Sequence, residues 1–140
     1  MPTDEFYATD LQLVWYRRDR FARKVEDELY RFRRYEVPVS LLFLSFPLTS
    51  SRKVAREINA FVMSGLRRLD FAGILGRGDF AVCLPHTDRK GVESVASRLR
   101  ELTMSFPGRI GIATAESDVT FREFLEAAIL EAKASLAVAA

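Results

Sequence analysis

Catalysis by a histidine base or a cysteine nucleophile in this chain would have to use its single histidine, His86, or its single cysteine, Cys83. His86 stands in a Pro-His-Thr turn, where a solvated side chain is the simpler interpretation. Cys83 lies in the apolar run from Phe80 to Leu84, which predicts a buried, unreactive thiol. One residue of each type also excludes an intrachain disulfide and any metal site that needs several such ligands. We therefore predict no catalytic nucleophile.

The segment from Arg17 to Arg34 is a second candidate, because it carries eight positive and four negative side chains. Such a face could contact nucleic acid or acidic lipid, but interleaved charges are more typical of a solvated, ion-paired surface. The net charge of the chain is only +2, which argues against an electrostatic nucleic-acid binder. The sequence also has no phosphate-binding loop and no dinucleotide fingerprint. We expect no nucleic-acid partner.

The sharpest motif is Arg67-Arg68-Leu69-Asp70, followed by the turn Gly76-Arg77-Gly78-Asp79-Phe80. A structural role is one interpretation of it. Arg67 and Arg68 close a predicted helix, where positive side chains favour the helix dipole, and Asp70 could simply pair with them. A ligand site is the other interpretation.

Hydrophobic periodicity predicts the elements that position these residues. The chain has 140 residues, 49% apolar and 29% charged, which suits one domain over residues 1–140. A helical stripe predicts a first helix from about Asp10 to Tyr35, ended by Pro38. The continuous apolar run Val37–Phe46 predicts a central strand buried on both faces. The further predicted elements are a helix from Ser50/Ser51 to about Leu66, strands Leu69–Leu75 and Phe80–Leu84 paired as a hairpin, a helix from Asp88 to about Met104, the strand Arg109–Thr114, and a last helix capped by Thr120.

This order of elements predicts an α+β fold of the ferredoxin-like type, β-α-β-β-α-β, with an added helix at each end. In such a fold an antiparallel sheet carries two helices on one face. The acidic, polar start is not a signal peptide, and the longest apolar stretch, Val37–Leu48, is shorter than the ~20 residues of a membrane span. We therefore expect a cytoplasmic domain with no membrane span.

The stretch Leu66–Thr87 resembles the signature of GGDEF domains, the diguanylate cyclase family. That family shows an Arg-x-x-Asp, a strand, the five-residue GGDEF hairpin and a strand ending in Leu-Pro, which is similar here to Arg67–Asp70, Gly76–Phe80 and Ala81–Pro85. The likeness covers nearly the whole chain. Its other matches are Asp10, Arg18 and Phe21 in the opening motif, Pro38–Leu44 in the first strand, Ile110–Ala113 in the fourth, and Ala132-Lys133 in the last helix. The resemblance implies the palm fold of nucleotidyl cyclases and a role in bacterial signal transduction.

Departures from the family pattern predict that cyclase activity is lost. Active members hold their metal ions with two carboxylates, and this chain has Ser45 and Gly78 at those positions. Mg²⁺ needs carboxylate or phosphate oxygens, so we expect no metal site and no enzyme activity. Arg77 replaces a glycine at which the nucleotide approaches the family's backbone. The family's guanine-recognition segment is also absent.

One site of the family is retained. In the family, Arg-x-x-Asp is an inhibitory site that binds cyclic di-GMP with help from an arginine on the next helix. The matching positions are Arg67, Asp70 and Arg98. Guanidinium groups pair with phosphate or guanine, and a carboxylate accepts hydrogen bonds from guanine N–H groups. The first hypothesis is therefore an inactive domain that serves as a cyclic di-GMP receptor and uses no cofactor.

The alternative hypothesis is a protein-interaction module that binds no nucleotide. Its surface would be the Arg77 hairpin or the first helix, where aromatic residues and arginines are typical of interface hot spots. A signalling protein would be its partner, and a homodimer is left open. The residues of this helical patch are Trp15, Tyr16, Arg17, Arg18, Arg20, Arg23 and Lys24.

Overall fold

A computed structural model describes residues 15–46, 60, 64–76, 78–102 and 108–139. Within these ranges the chain forms one five-stranded sheet in the order β1-β3-β4-β2-β5 and three helices. The pairs β3–β4, β4–β2 and β2–β5 are antiparallel, whereas β1 pairs with β3 in parallel. The elements are β1 Trp15–Arg17, α1 Arg18–Tyr35, β2 Val39–Ser45, β3 Phe71–Gly76, β4 Asp79–Pro85, α2 Arg89–Leu102, β5 Arg109–Thr114 and α3 Phe121–Ala139.

Strand β2 lies between β4 and β5 and is buried on both faces, as its continuous apolar run predicts. Leu42 and Leu44 belong to one hydrophobic core, together with Val92 and Leu99 of α2. Alternate residues of β2 point to the other face, where α1 and α3 pack. The sheet therefore separates two cores, and the α+β fold class is confirmed.

The prediction for the first element is wrong in its N-terminal part. Trp15–Arg17 is a strand, with Trp15 beside Ala72 and Arg17 beside Ile74 of β3, and the helix begins only at Arg18. A tertiary contact overrides the helical period here, because pairing with β3 satisfies the backbone hydrogen bonds of these residues. From Arg18 onward the predicted stripe is correct, since Phe21, Val25 and Leu29 are all buried. Residues 10–14 lie outside the described residues.

The other predicted boundaries differ by a few residues where they can be compared. Helix α1 ends at Tyr35 and is capped by Glu36, which adopts a left-handed conformation and donates its N–H to the carbonyl of Phe32. Strand β2 starts at Val39, two residues later than predicted. Asp88 caps α2 through a 2.9 Å bond from the N–H of Gly91. Thr120 caps α3, as predicted. Its hydroxyl oxygen accepts the N–H of Glu123, and its own N–H donates to the Glu123 carboxylate. The predicted helix from Ser50/Ser51 and the end near Met104 fall largely outside the described residues.

Gly111 marks the closest approach of α3 to the sheet. A Cβ atom at this position would collide with the backbone oxygen of Ala128 and the backbone nitrogen of Ala132. We expect Gly111→Ala to lower the free energy of unfolding by about 1–3 kcal/mol or more, since backbone atoms of a packed helix cannot move aside as a flexible side chain can. Denaturant unfolding measures this. Gly65→Ala is the control, because no atom lies within 4 Å of its added Cβ; equal stability of parent and Gly111→Ala would contradict this packing.

Candidate functional site

Arg67 and Asp70 form a bidentate ion pair with each other. Arg67 Nη2 lies 2.9 Å from Asp70 Oδ1, and Arg67 Nε lies 3.2 Å from Oδ2. The backbone N–H of Arg67 also donates to Oδ2 at 2.8 Å. The Asp70 side chain is only 1% exposed, whereas that of Arg67 is 50% exposed. The hydrogen bonds that Arg67 donates to the Asp70 carboxylate raise the pKa of the guanidinium, which therefore stays charged.

Arg67 also anchors the end of strand β4. Its Nη2 donates to the carbonyl oxygen of Pro85 at 2.6 Å and lies 2.7 Å from Thr87 Oγ1. Thr87 Oγ1 is in turn 3.0 Å from the same carbonyl. The Arg-x-x-Asp motif therefore has a structural role, because it ties residues 67–70 to the turn after β4. The predicted Arg67–Asp70 pairing is present.

A buried serine holds the same turn from the other side. Ser40 of β2 is fully buried, and its hydroxyl donates to the carbonyl of Thr87 at 2.8 Å. The same oxygen lies 2.9 Å from Thr114 Oγ1 of β5. The turn at residues 85–87 is thus fixed to β2 and, through Ser40, linked to β5.

An open cavity of about 340 Å³ lies over this turn, and Arg67, Asp70 and Arg98 all line it. Arg98 reaches it from the exposed side of α2, one turn after the half-buried Val95. The three residues predicted to bind a ligand, which come from two separate segments of the sequence, therefore lie around one depression. His86, Thr87 and Asp88 also line it. Sequence reasoning left these three out of the site, although their position directly after the Leu-Pro end of the hairpin strand was a usable signal.

The turn between β3 and β4, around Gly76–Asp79, is the second place at which the sequence resembles a functional site of the family. Gly76 pairs with Asp79 across the turn, and Phe80 is buried behind it. Gly78 has a φ of 78°, which side chains rarely adopt. Arg77 lies outside the described residues. This end of the sheet is where the resemblance requires metal-binding carboxylates.

The described residues at the hairpin end do not fit a metal site. Ser45 is paired with Asp79 across β2 and β4, and its hydroxyl donates to Asp79 Oδ1 at 2.7 Å. The resemblance places the second metal-binding carboxylate at position 78, where this chain has a glycine and therefore no carboxylate. Among the residues that the structure describes, no group of three or more histidine, cysteine, aspartate or glutamate side chains could hold a metal ion.

Two other sequence predictions can be compared with the structure. Cys83 is fully buried, and burial raises the pKa of its thiol well above the usual value, which fits an unreactive group. His86 is exposed in a turn, as predicted.

The predicted helical patch is only partly as expected. Arg17, Arg18, Arg20 and Arg23 are exposed. Tyr16, expected to be exposed, is instead half-buried, with its ring edge-on to Phe71 at 6.3 Å. The charged ends of Arg20 and Lys24 lie 5.4 and 5.0 Å from the Tyr16 ring centre. The Tyr16 ring therefore makes cation–π contacts with both side chains. The side chain of Trp15 lies outside the described part of the chain.

Comparison with solved structures identifies the fold. The GGDEF domain of DgcB from Caulobacter crescentus in complex with cyclic di-GMP superposes with a TM-score of 0.79 at 13% identity, over 89% of this chain and 85% of that chain. The FimX GGDEF domain from Pseudomonas aeruginosa gives 0.75 at 12% identity, over 86% and 88% of the two chains. Diguanylate cyclase SiaD from Pseudomonas aeruginosa, in complex with its activator SiaC, gives 0.73 at 22% identity, over 85% of this chain and 55% of that chain.

The chain therefore has the fold of a GGDEF domain, as the resemblance in its sequence predicted. No family profile matches the sequence, and no curated protein matches it. The likeness thus lies in the backbone path rather than in overall sequence identity. None of the helices within the described residues is long and apolar enough to cross a membrane.

Proposed function

We propose that this domain is a cyclic di-GMP receptor that has lost diguanylate cyclase activity. The observation that carries the proposal is the open cavity that Arg67, Asp70 and Arg98 line together. Cyclic di-GMP offers two phosphodiesters and two guanine bases, which are the groups that guanidinium and carboxylate side chains recognise. The similar GGDEF domain of DgcB has been solved in complex with cyclic di-GMP, which supports the choice of this ligand.

Binding would exchange one set of contacts for another. Among the described residues, Arg67 donates every hydrogen bond that the Asp70 carboxylate accepts. The carboxylate is nearly inaccessible behind the Arg67 side chain. Arg98 is exposed and forms no hydrogen bond or ion pair with another described residue. The ligand would therefore meet Arg98 and the exposed half of Arg67 first. A guanine edge would reach Asp70 only where Arg67 gives up its bonds to that carboxylate while it keeps its bond to the carbonyl of Pro85.

The loss of catalysis is supported by the chemistry of the hairpin end. Ser45 offers a hydroxyl that is bonded to Asp79, and Gly78 offers no side-chain ligand. A divalent cation at this end would lack the carboxylates that hold it against triphosphate oxygens. Cyclic di-GMP would thus be sensed by the domain and not made by it.

Titration calorimetry of the parent protein with cyclic di-GMP, and separately with GTP and Mg²⁺, tests the proposal. We expect saturable binding of cyclic di-GMP. Binding of GTP without any binding of cyclic di-GMP would contradict the assignment of the cavity to the dinucleotide. Absence of cyclic di-GMP binding would contradict the receptor function itself.

Arg98→Ala gives the cleanest mutational test, since Arg98 lines the cavity without taking part in the Arg67 cluster. We expect about a tenfold loss of cyclic di-GMP affinity, which corresponds to one charge-assisted hydrogen bond, and an unchanged thermal midpoint. Lys90→Ala is the control, because Lys90 lies on the same helix, carries the same charge and does not line the cavity. Equal weakening by both variants would mean that Arg98 acts only through net charge.

A protein-interaction module is the second candidate, and the surface of α1 favours it. Tyr30 and Tyr35 are large side chains left exposed on this helix, and Arg34 lies 5.7 Å from the Tyr35 ring centre. Aromatic residues and arginines are typical of interface centres. Pull-down from native extract with the parent and with an Arg18→Glu/Tyr35→Ala variant of equal stability tests this candidate. Recovery of the same proteins in equal yield by both would exclude this surface.

A further inference from the structure

His86 has an unusual backbone conformation for a residue at the end of a strand. Its φ is 55°, in the left-handed region, which is uncommon for residues other than glycine although histidine, asparagine and aspartate adopt it more often than most. Glu36, another described residue with positive φ, ends helix α1, where that conformation is common. His86 ends no helix. Residues in sparsely populated conformations persist where the surroundings fix them, and they concentrate at ligand sites.

The residues on both sides of His86 are fixed by hydrogen bonds. Pro85 accepts from Arg67, and Thr87 donates its N–H to the carbonyl of Pro38 at 3.2 Å. The carbonyl of Thr87 accepts from the buried hydroxyl of Ser40. The turn therefore cannot relax without breaking these bonds. These bonds fix the backbone on either side of His86, whose exposed side chain lines the same cavity as Arg67 and Arg98.

The charged groups that share this cavity with His86 are two cations and two carboxylates. Asp70 is occupied by Arg67, and Asp88 accepts the N–H of Gly91 as the cap of α2. Both carboxylates among the described lining residues are thus engaged with neighbouring donors. Arg67, Arg98 and Asp88 are all exposed to solvent, so the rim of the cavity carries two positive charges and one negative charge. A protonated imidazole would add a third positive charge, with two N–H donors, at the rim.

We propose that His86 is a further ligand-contacting residue, which donates a hydrogen bond to a phosphodiester of the bound nucleotide when its ring is protonated. This inference rests on the proposed receptor function and adds a pH dependence to it. Imidazoles ordinarily titrate near pH 6.5, whereas a phosphodiester stays anionic throughout the neutral range. Affinity should therefore rise as the pH falls from about 8 to about 5.5. By linkage, the bound ligand should shift the His86 titration to higher pH by the same factor.

Calorimetry with cyclic di-GMP at about pH 8 and about pH 5.5 tests the inference, with His86→Asn as the matched variant. Asparagine tolerates the left-handed conformation and keeps hydrogen-bonding capacity, but it carries no charge. We expect the parent to bind about three- to tenfold more tightly at the lower pH, as one partly exposed charge-assisted bond would give. The His86→Asn variant should bind equally at both pH values, with the affinity of the parent at high pH.

A second measurement uses the fact that the chain has one histidine. Its Cε1–H proton gives a single NMR signal, whose titration midpoint should move to higher pH when cyclic di-GMP is added. An unmoved midpoint with bound ligand, or a pH dependence that persists in His86→Asn, would overturn the role of His86 and leave the receptor function intact. No binding by the parent at either pH would overturn the receptor function and this inference together.

Discussion

Arg67→Ala is expected to weaken cyclic di-GMP binding by about tenfold to several hundredfold. A charge-assisted hydrogen bond is worth about 1.5–3 kcal/mol, and the forked guanidinium of Arg67 can make more than one to a ligand. Calorimetry against cyclic di-GMP measures the loss. Arg68→Ala is the control, because Arg68 is the exposed neighbour in sequence and does not line the cavity.

The same substitution should also destabilise the fold, and this effect has to be separated from binding. Without Arg67, the nearly inaccessible Asp70 carboxylate keeps only the backbone donor at position 67, and the turn after β4 loses its anchor. An unsatisfied buried acceptor costs about 1–3 kcal/mol. Asp70→Asn keeps the shape and removes the charge, so it should lose affinity with less disturbance of the packing. Unaltered binding in both Arg67→Ala and Asp70→Asn would place the ligand elsewhere.

Purified protein supplied with GTP and Mg²⁺ or Mn²⁺ is expected to form no cyclic di-GMP above the uncatalysed background. Ser45 and Gly78 stand where carboxylates would hold the metal ions, and catalysis of phosphoryl transfer depends on those ions to neutralise developing charge. Chromatographic detection of the product over hours measures this, with an active diguanylate cyclase in parallel as the positive control. Steady product formation would contradict the proposed loss of activity.

Restoring one acid should not restore the enzyme. Gly78 has a φ of 78°, so Gly78→Glu would place a side chain in a strained conformation. Ser45→Asp would bring a second carboxylate against Asp79, with which Ser45 now shares a hydrogen bond. The sequence also lacks the segment by which the resembling family recognises guanine. Activity in either single variant, Ser45→Asp or Gly78→Glu, would contradict this expectation. Activity in the double variant alone would show that the two metal ligands were the sole deficit.

Most of the secondary structure could be predicted, because local chemistry and burial agree there. The run Val39–Ser45 is apolar at every position but two and is buried on both faces. The Thr120 cap and the strand Arg109–Thr114 are where the sequence predicts them. Strand β1 could not be predicted. Its three residues continue an apparent helical stripe, and only the neighbouring edge of β3 makes them a strand.

By itself, the sequence determined the α+β fold, the hairpin around Gly76–Asp79 and the residue types of the candidate site, because apolar periodicity, turn glycines and motif spacing are local properties of the chain. The tertiary structure decided how those residues meet. It joined Arg67 to Asp70, Pro85 and Thr87, brought Arg98 to the same cavity from another helix, and held His86 at its rim in a left-handed conformation. The physical reason is that these contacts depend on the sheet register and on buried partners such as Ser40, which are separated from the motif along the sequence and become its neighbours only when β2, β4 and α2 pack together.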